Sequence, residues 1–151
     1  MEKLKGLFLK YKEIIMYLIF GVLTTLVSWG SYALFEVIFG IIIANSIVLS
    51  SVANVLSWIC AVLFAFITNK LWVFESKSFK SDVIFKEMAS FVGSRLATGV
   101  LEWVGVPLLM LIGLNQSIFG IEGMVAKVIV SVVVVILNYV LSKLFVFKNK
   151  K

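Results

Sequence analysis

Residues 14–35, IIMYLIFGVLTTLVSWGSYALF, run without a charge from Glu13 to Glu36. About 20 apolar residues cross a bilayer as a helix, so this stretch reads as a membrane span. The rest of the chain agrees with it. Of the 151 residues, 62% are hydrophobic and 15% are charged, against roughly 45–50% and 25% in an average soluble domain. Mean hydropathy is +1.11. A soluble fold of this length has too little interior to hide so much apolar surface. A soluble enzyme, a nucleic-acid-binding domain and a secreted scaffold are therefore excluded. Histidine is absent and Cys60 is the single cysteine, which leaves no disulfide framework and no His/Cys metal site.

Three more spans follow. Residues 37–69 are uncharged but too long for one crossing. Gly40 and Asn45 mark a turn, and the second span is expected near 46–69. A third fits 88–112, with Pro107 near its far end, where lost backbone bonds matter least. Gly113, Asn115, Gly120 and Gly123 make the next turn, and a fourth span fits 124–142.

Charge sets the orientation. Of the 14 basic residues, 12 fall in three clusters: Lys3, Lys5, Lys10 and Lys12; Lys70, Lys77, Lys80 and Lys86; Lys143, Lys148, Lys150 and Lys151. The connections 36–45 and 113–123 hold Glu36 and Glu122 and no basic residue. The positive-inside rule then predicts both termini and the 70–87 loop in the cytoplasm. Residues 1–13 resemble a signal-peptide n-region, but no small-x-small cleavage site follows, so the segment is expected to stay as an anchor. Leu4, Leu7, Phe8 and Tyr11 share one helix face there, as in a short helix lying on an anionic leaflet.

The chain repeats itself at an offset of 73–74 residues. YKEIIMY at 11–17 matches FKEMASF at 85–91, Thr24 and Trp29 match Thr98 and Trp103, and NKLWVF at 69–74 matches SKLFVF at 142–147. Two spans per half give both halves one orientation, the parallel kind of transporter repeat. A duplicated bundle without transport has the same signature.

Polar groups inside the spans are costly. A charge at mid-membrane costs roughly 2.5–3.5 kcal/mol on insertion scales. Arg95 and Glu102 lie seven residues apart on one face of span three, with Thr98 and Gly99 between them. They either clamp to Thr24, Ser28 or Asn54 on other helices, or line a cavity for a charged substrate. Span two carries Ser50, Asn54, Ser57, Ala61, Ala65 and Thr68, a spacing that also suits plain helix packing. Span four carries Lys127, Ser131, Asn138 and Ser142. Side chains lean toward a helix N-terminus. Lys127 is thus expected to snorkel outward, to pair with Glu122 or stand unpaired, and Arg95 to lean inward. One cation then serves each leaflet. Lys70 and Lys143, with Trp72, Phe74, Phe145 and Phe147, end spans two and four. They read either as an aromatic belt with snorkelling lysines or as a headgroup-binding rim that includes Asn69. No GxxxxGK[ST] loop is present. No cofactor is expected, and no catalytic activity.

These motifs together resemble the GtrA-like family: a short four-span chain, halves ending N-K-L-W-V-F and S-K-L-F-V-F, Arg95 in F-V-G-S-R-L-A-T-G and Asn138 in L-N-Y-V-L-S-K. The likeness covers nearly the whole chain and looks closest to the GtcA-type branch that serves teichoic acid glycosylation. It implies a flippase that moves undecaprenyl-phosphate sugar to the outer leaflet, between a glycosyltransferase that loads the lipid and one that unloads it. Carried over by position, the functional residues are Ala65, Asn69, Val73, Phe74, Phe91, Arg95, Lys127 and Asn138. Ala65 and Val73 would be close-packing positions, and Phe74 and Phe91 would shape the inner rim. Thr24, Ser28 and Ala65 depart from the Asn and Asp that many relatives carry, so the polar lining of the first half is thinner.

The resulting expectation is an all-α protein of the bacterial cytoplasmic membrane, a single domain over 1–151 with repeats at about 11–74 and 85–147. Arg95 grips the lipid phosphate at the inner leaflet and Lys127 receives it at the outer one. Asn69, Asn138 and Glu102 hydrogen-bond phosphate or sugar in transit, and Lys70 and Lys143 form the rim. The small enclosed volume suits a homo-oligomer, and nucleic acid is no partner. Two other functions fit the same residues: a small-solute/proton antiporter working through Glu102, and a non-transporting adaptor for a glycosyltransferase.

Overall fold

The computed structural model describes residues 2–114, 116 and 123–148, with side chains from position 11 onward except that of Met124. Four long helices carry the described chain: α1 (Glu2–Gly40), α2 (Ser46–Thr68), α3 (Ser81–Leu111) and α4 (Met124–Leu141). All four are long and apolar enough to cross a membrane. Lipid offers no partner to a backbone N–H or C=O, so each segment must bond to itself. Polar side chains follow the same rule. Thr24, Thr25, Ser31, Ser51 and Thr68 each donate to the carbonyl four residues earlier. The chain is an all-α, four-span membrane protein.

Helix ends differ from the expected span limits. α1 starts at Glu2 and α3 at Ser81, well before 14 and 88. The lysine- and glutamate-bearing segments there favour helix, and hydropathy marks only the part that lies in lipid. The expected surface helix at 2–10 is thus continuous with span one. Its side chains, with Asn115, Gly120, Glu122, Lys150 and Lys151, lie outside the described residues.

The chain divides into two compact units between Lys77 and Ser78. In unit 1, α1 and α2 form a hairpin closed by residues 41–45. Asn45 caps α2, its Oδ1 accepting from the N–H of Ile47 and Val48. Ala53, Ser57, Ala61 and Ala65 are buried at four-residue spacing along α2. Small side chains there let backbones approach closely, the usual packing device in lipid. In unit 2, α3 and α4 form the second hairpin. Pro107 sits within α3, one turn from its end, and frees only one carbonyl. Gly123 caps α4 at φ +73°, where an added Cβ would also stand 2.5 Å from Met110 Sδ.

Each hairpin ends in the same device. α2 passes into a π-helical turn at Asn69–Val73 and α4 into another at Ser142–Val146. The defining i→i+5 bonds are Phe74 N to Asn69 O at 2.8 Å and Phe147 N to Ser142 O at 2.9 Å. Each turn swings a phenylalanine against the opposing helix. Phe74 meets Tyr17 with ring centres 6.5 Å apart and planes at 55°. Phe147 meets Phe91 at 6.2 Å and 51°. Phe74, Phe91 and Phe147 are almost fully buried. The duplicated sequence therefore builds a duplicated clasp. Trp29 and Trp103, also equivalent, both stay on the outer surface of their helices.

Candidate functional site

Unit 2 carries a row of charged and polar side chains along the seam of α3 and α4. Thr98 and Glu102 lie on one face of α3, four residues apart, and Arg95 precedes Thr98 by three. Lys127, Ser131 and Asn138 lie on one face of α4. Because the helices run in opposite directions, the two rows meet in rungs. Lys127 Nζ reaches Glu102 Oε1 at 2.7 Å, and Ser131 Oγ donates to the same oxygen at 3.2 Å. About 6 Å along α3, Thr98 Oγ1 donates to Asn138 Oδ1 at 2.9 Å, with both side chains buried. One turn further, the half-buried Arg95 lays its guanidinium over the Phe91 ring, 4.9 Å from the centre. The seam thus carries an ion pair at one level, a neutral rung below it and a second cation below that.

The ion pair joins α3 to α4 within unit 2, with Glu102 bonded to Lys127 and Ser131. Lys127 is neither unpaired nor merely snorkelling, since its ammonium is held by Glu102. Glu122, its expected partner, lies outside the described residues. The physical reason is the cost of an uncompensated charge in lipid, which two residues at the same end of neighbouring helices relieve for each other.

The rim residues behave differently in the two halves. Lys70 is buried, with Nζ donating to Ser76 Oγ at 3.1 Å. Its equivalent, Lys143, is exposed, donates to the Tyr139 hydroxyl at 3.1 Å and lies over that ring. Asn69 donates through Nδ2 to Ala65 O at 2.7 Å. Its Oδ1 and the equivalent Ser142 Oγ are buried with no hydrogen-bond partner among the described residues. Ala65 and Val73 are buried, and Phe74 and Phe91 take part in the clasps. Trp72 stacks on Phe20, with centres 5.6 Å apart. At the edge of unit 1, Lys12 and Glu75 form an exposed ion pair at 3.0 Å.

Unit 1 also has a groove of about 430 Å³ near its hairpin turn, lined by Tyr32, Ser46, Ile47, Ser50, Ser51 and Asn54. Behind it lies Glu36, whose Oε1 accepts from Tyr32 at 2.7 Å and Ser50 at 2.8 Å. Reading span two as a stripe found Ser50 and Asn54 but not this grouping. The signal was the four-residue spacing of Tyr32 and Glu36. Among the described residues no group of acidic or Cys side chains is placed to hold a metal.

The model of the GtrA/DPMS transmembrane domain matches residues 16–147. "Uncharacterized membrane protein YwcD" of Bacillus subtilis is 38% identical over 136 residues, covering 90% of this chain and 97% of that one. "Cell wall teichoic acid glycosylation protein GtcA" of Listeria innocua is 36% identical over 142 residues, covering 92% and 87%. The protein of the same name in Listeria monocytogenes is 34% identical over the same shares. No solved structure gives a significant match. With a family match across nearly all four spans, the chain belongs to the GtrA/DPMS transmembrane-domain family and is a multi-pass protein of the cell membrane.

Proposed function

We propose that the chain serves glycosylation of a cell-surface polymer, teichoic acid or another polysaccharide, by moving a polyprenyl-phosphate-linked monosaccharide from the inner to the outer leaflet. The coarse role rests on the two Listeria relatives, named for cell wall teichoic acid glycosylation, which align over nine-tenths of this chain. The transport step rests on one observation: the α3–α4 seam sets cations at two depths with neutral hydrogen-bonding groups between them. A lipid phosphate crossing a bilayer needs electrostatic partners along its path, because the membrane supplies none.

Arg95 binds the phosphate first. Its planar guanidinium offers a bidentate fork, and the Phe91 ring holds the plane in place. Lys127 receives the phosphate next, exchanging its Glu102 carboxylate for it. Glu102 then returns Lys127 to its resting pair as the product leaves. Thr98 and Asn138 brace the helices between the two positions, and the lipid tail stays in the bilayer throughout. Asn69, with its unpartnered Oδ1, and the two rim lysines Lys70 and Lys143 belong to the entry side. Both termini and the 70–87 loop face the cytoplasm, as the twelve clustered basic residues require. The chain itself catalyses no bond change. The glycosyltransferases before and after it are its partners in sequence of action.

The test is direct. Proteoliposomes carrying a labelled polyprenyl-phosphate monosaccharide are assayed for lipid reaching the outer leaflet. The purified protein is expected to accelerate transfer and Arg95→Ala to return it to the protein-free rate. Equal transfer with and without the protein would overturn the proposal.

A further inference from the structure

The groove of unit 1 uses none of the cations of the seam, and its chemistry is of the opposite kind. A hydroxyl has one proton to give and two lone pairs to receive with. Four hydroxyls line this groove, those of Tyr32, Ser46, Ser50 and Ser51, and three of their protons are committed elsewhere. Tyr32 and Ser50 donate to Glu36 Oε1, and Ser51 donates to Ile47 O at 2.7 Å. What these three offer a ligand is lone pairs, while Ser46 can donate as well as accept. Glu36 holds two of them in that orientation and adds negative charge behind the wall. No basic residue lines the groove. Such a wall repels phosphate and carboxylate and welcomes a neutral group rich in O–H donors. Asn54, whose side-chain amide bonds to no other described residue, supplies both a donor and an acceptor.

We infer that this groove is a sugar subsite: it takes the neutral pyranose headgroup of the lipid substrate, whose hydroxyls donate to Tyr32 Oη and Ser50 Oγ while Asn54 bonds a neighbouring hydroxyl. This deepens the transport proposal and rests on it. It names the substrate class as a neutral sugar and excludes uronic acids and phosphorylated sugars.

Size and depth agree. The volume of about 430 Å³ lies within the roughly 300–1,000 Å³ of small-molecule sites. Asn54 is eight residues into α2, roughly 12 Å from the helix start at 1.5 Å per residue. The headgroup zone is about 5–8 Å deep on each side of the hydrocarbon. With the start of α2 at the membrane surface, the groove crosses that zone and reaches the first few ångströms of hydrocarbon, within range of a headgroup whose lipid tail remains in the bilayer.

Saturation-transfer NMR on the purified protein in phosphatidylcholine nanodiscs tests the assignment. The probes are the methyl glycosides of glucose, galactose and N-acetylglucosamine, with glucuronate and ethanolamine as contrasts. At least one neutral glycoside is expected to give a signal, and glucuronate none. Tyr32→Phe removes a single oxygen and leaves the ring. Combined with Ser50→Ala it should weaken the glycoside roughly tenfold. No signal from any glycoside, or an unchanged signal in the double variant, would overturn the subsite. So would ethanolamine binding more strongly than every glycoside, which would make this an ammonium site. The two proposals fail separately: lipid transfer without glycoside binding removes the subsite alone, and glycoside binding without lipid transfer removes the flippase alone.

Discussion

Thr98 and Asn138 hold α3 and α4 together, one hydroxyl and one amide meeting at 2.9 Å with both side chains buried. The equivalent positions of the first half are Thr24 and Ala65, and there Thr24 turns back on Phe20 O at 2.7 Å. At this level one alanine thus separates a hairpin with a polar rung from one without, and the first hairpin carries its polar bond between helices nearer the turn, from Ser50 to Glu36. Hydrogen bonds between membrane helices average about 0.6 kcal/mol and reach about 1.7. Asn138→Leu should cost unit 2 an amount in that range, because Thr98 retains the carbonyls of Ser94 and Arg95 as acceptors. Unfolding by denaturing detergent, monitored by circular dichroism, measures it. A loss far larger than this range would mean that Asn138 carries more than the rung.

The ion pair yields a sharper experiment. Lys127→Ala leaves the Glu102 carboxylate without its cation inside a span, and protein abundance should fall. Exchanging the pair, Lys127→Glu with Glu102→Lys, restores attraction across the same gap, so abundance should recover. Polymer glycosylation should not recover, because a carboxylate on α4 repels the incoming phosphate. If the exchanged pair restores both, Lys127 is only the counter-ion of Glu102.

Arg95 tests the first cation. Arg95→Lys keeps the charge and loses both the bidentate fork and the guanidinium contact with the Phe91 ring. Transfer should fall well below wild type, and Arg95→Ala should abolish it. Phe91→Leu removes the ring alone. A cation–π contact is worth about 0.5–2 kcal/mol, so transfer should drop by a factor of roughly 2 to 30. Full activity in Arg95→Ala at normal abundance would remove the phosphate role.

Ser142 offers a control on burial. Its Oγ is buried with no hydrogen-bond partner, and such a group costs free energy that an apolar atom does not. Ser142→Ala should leave stability unchanged or raise it by up to about 1 kcal/mol. Asn69→Ala, at the equivalent place, removes a made bond to Ala65 O and should lower it. Thermal unfolding in detergent compares the two. A marked destabilisation by Ser142→Ala would show that the hydroxyl is engaged.

Orientation is checked by cysteine labelling in a Cys60→Ser background. A cysteine at position 80 should react with a membrane-impermeant maleimide only after the cells are opened. Labelling of intact cells there would invert the map.

Much of this was legible in the residues alone. Four long apolar stretches, two of them without any charge, separated by charge or glycine, fix four helices, since lipid admits no other use of them. The match of NKLWVF to SKLFVF announced that the hairpin ends would be alike. The spacing of Arg95, Thr98 and Glu102 placed them along one helix. The pairing of Glu102 with Lys127 was not legible, because it depends on how two helices are rotated against each other. Periodicity fixes each face only to itself. Nor was the π-helical turn, where a single extra residue per turn changes no pattern of polarity. Lys70 shows the consequence. Its sequence context is that of Lys143, yet it is buried against Ser76 while Lys143 lies on Tyr139.

The duplicated clasp bears on how far the two halves can differ. Because Phe74 on Tyr17 and Phe147 on Phe91 each close a hairpin from within one repeat, each half carries the contacts of its own closure. Residues outside the clasp are then at liberty to differ between the halves without opening either. One half holds hydroxyls around an acid, the other cations along a seam.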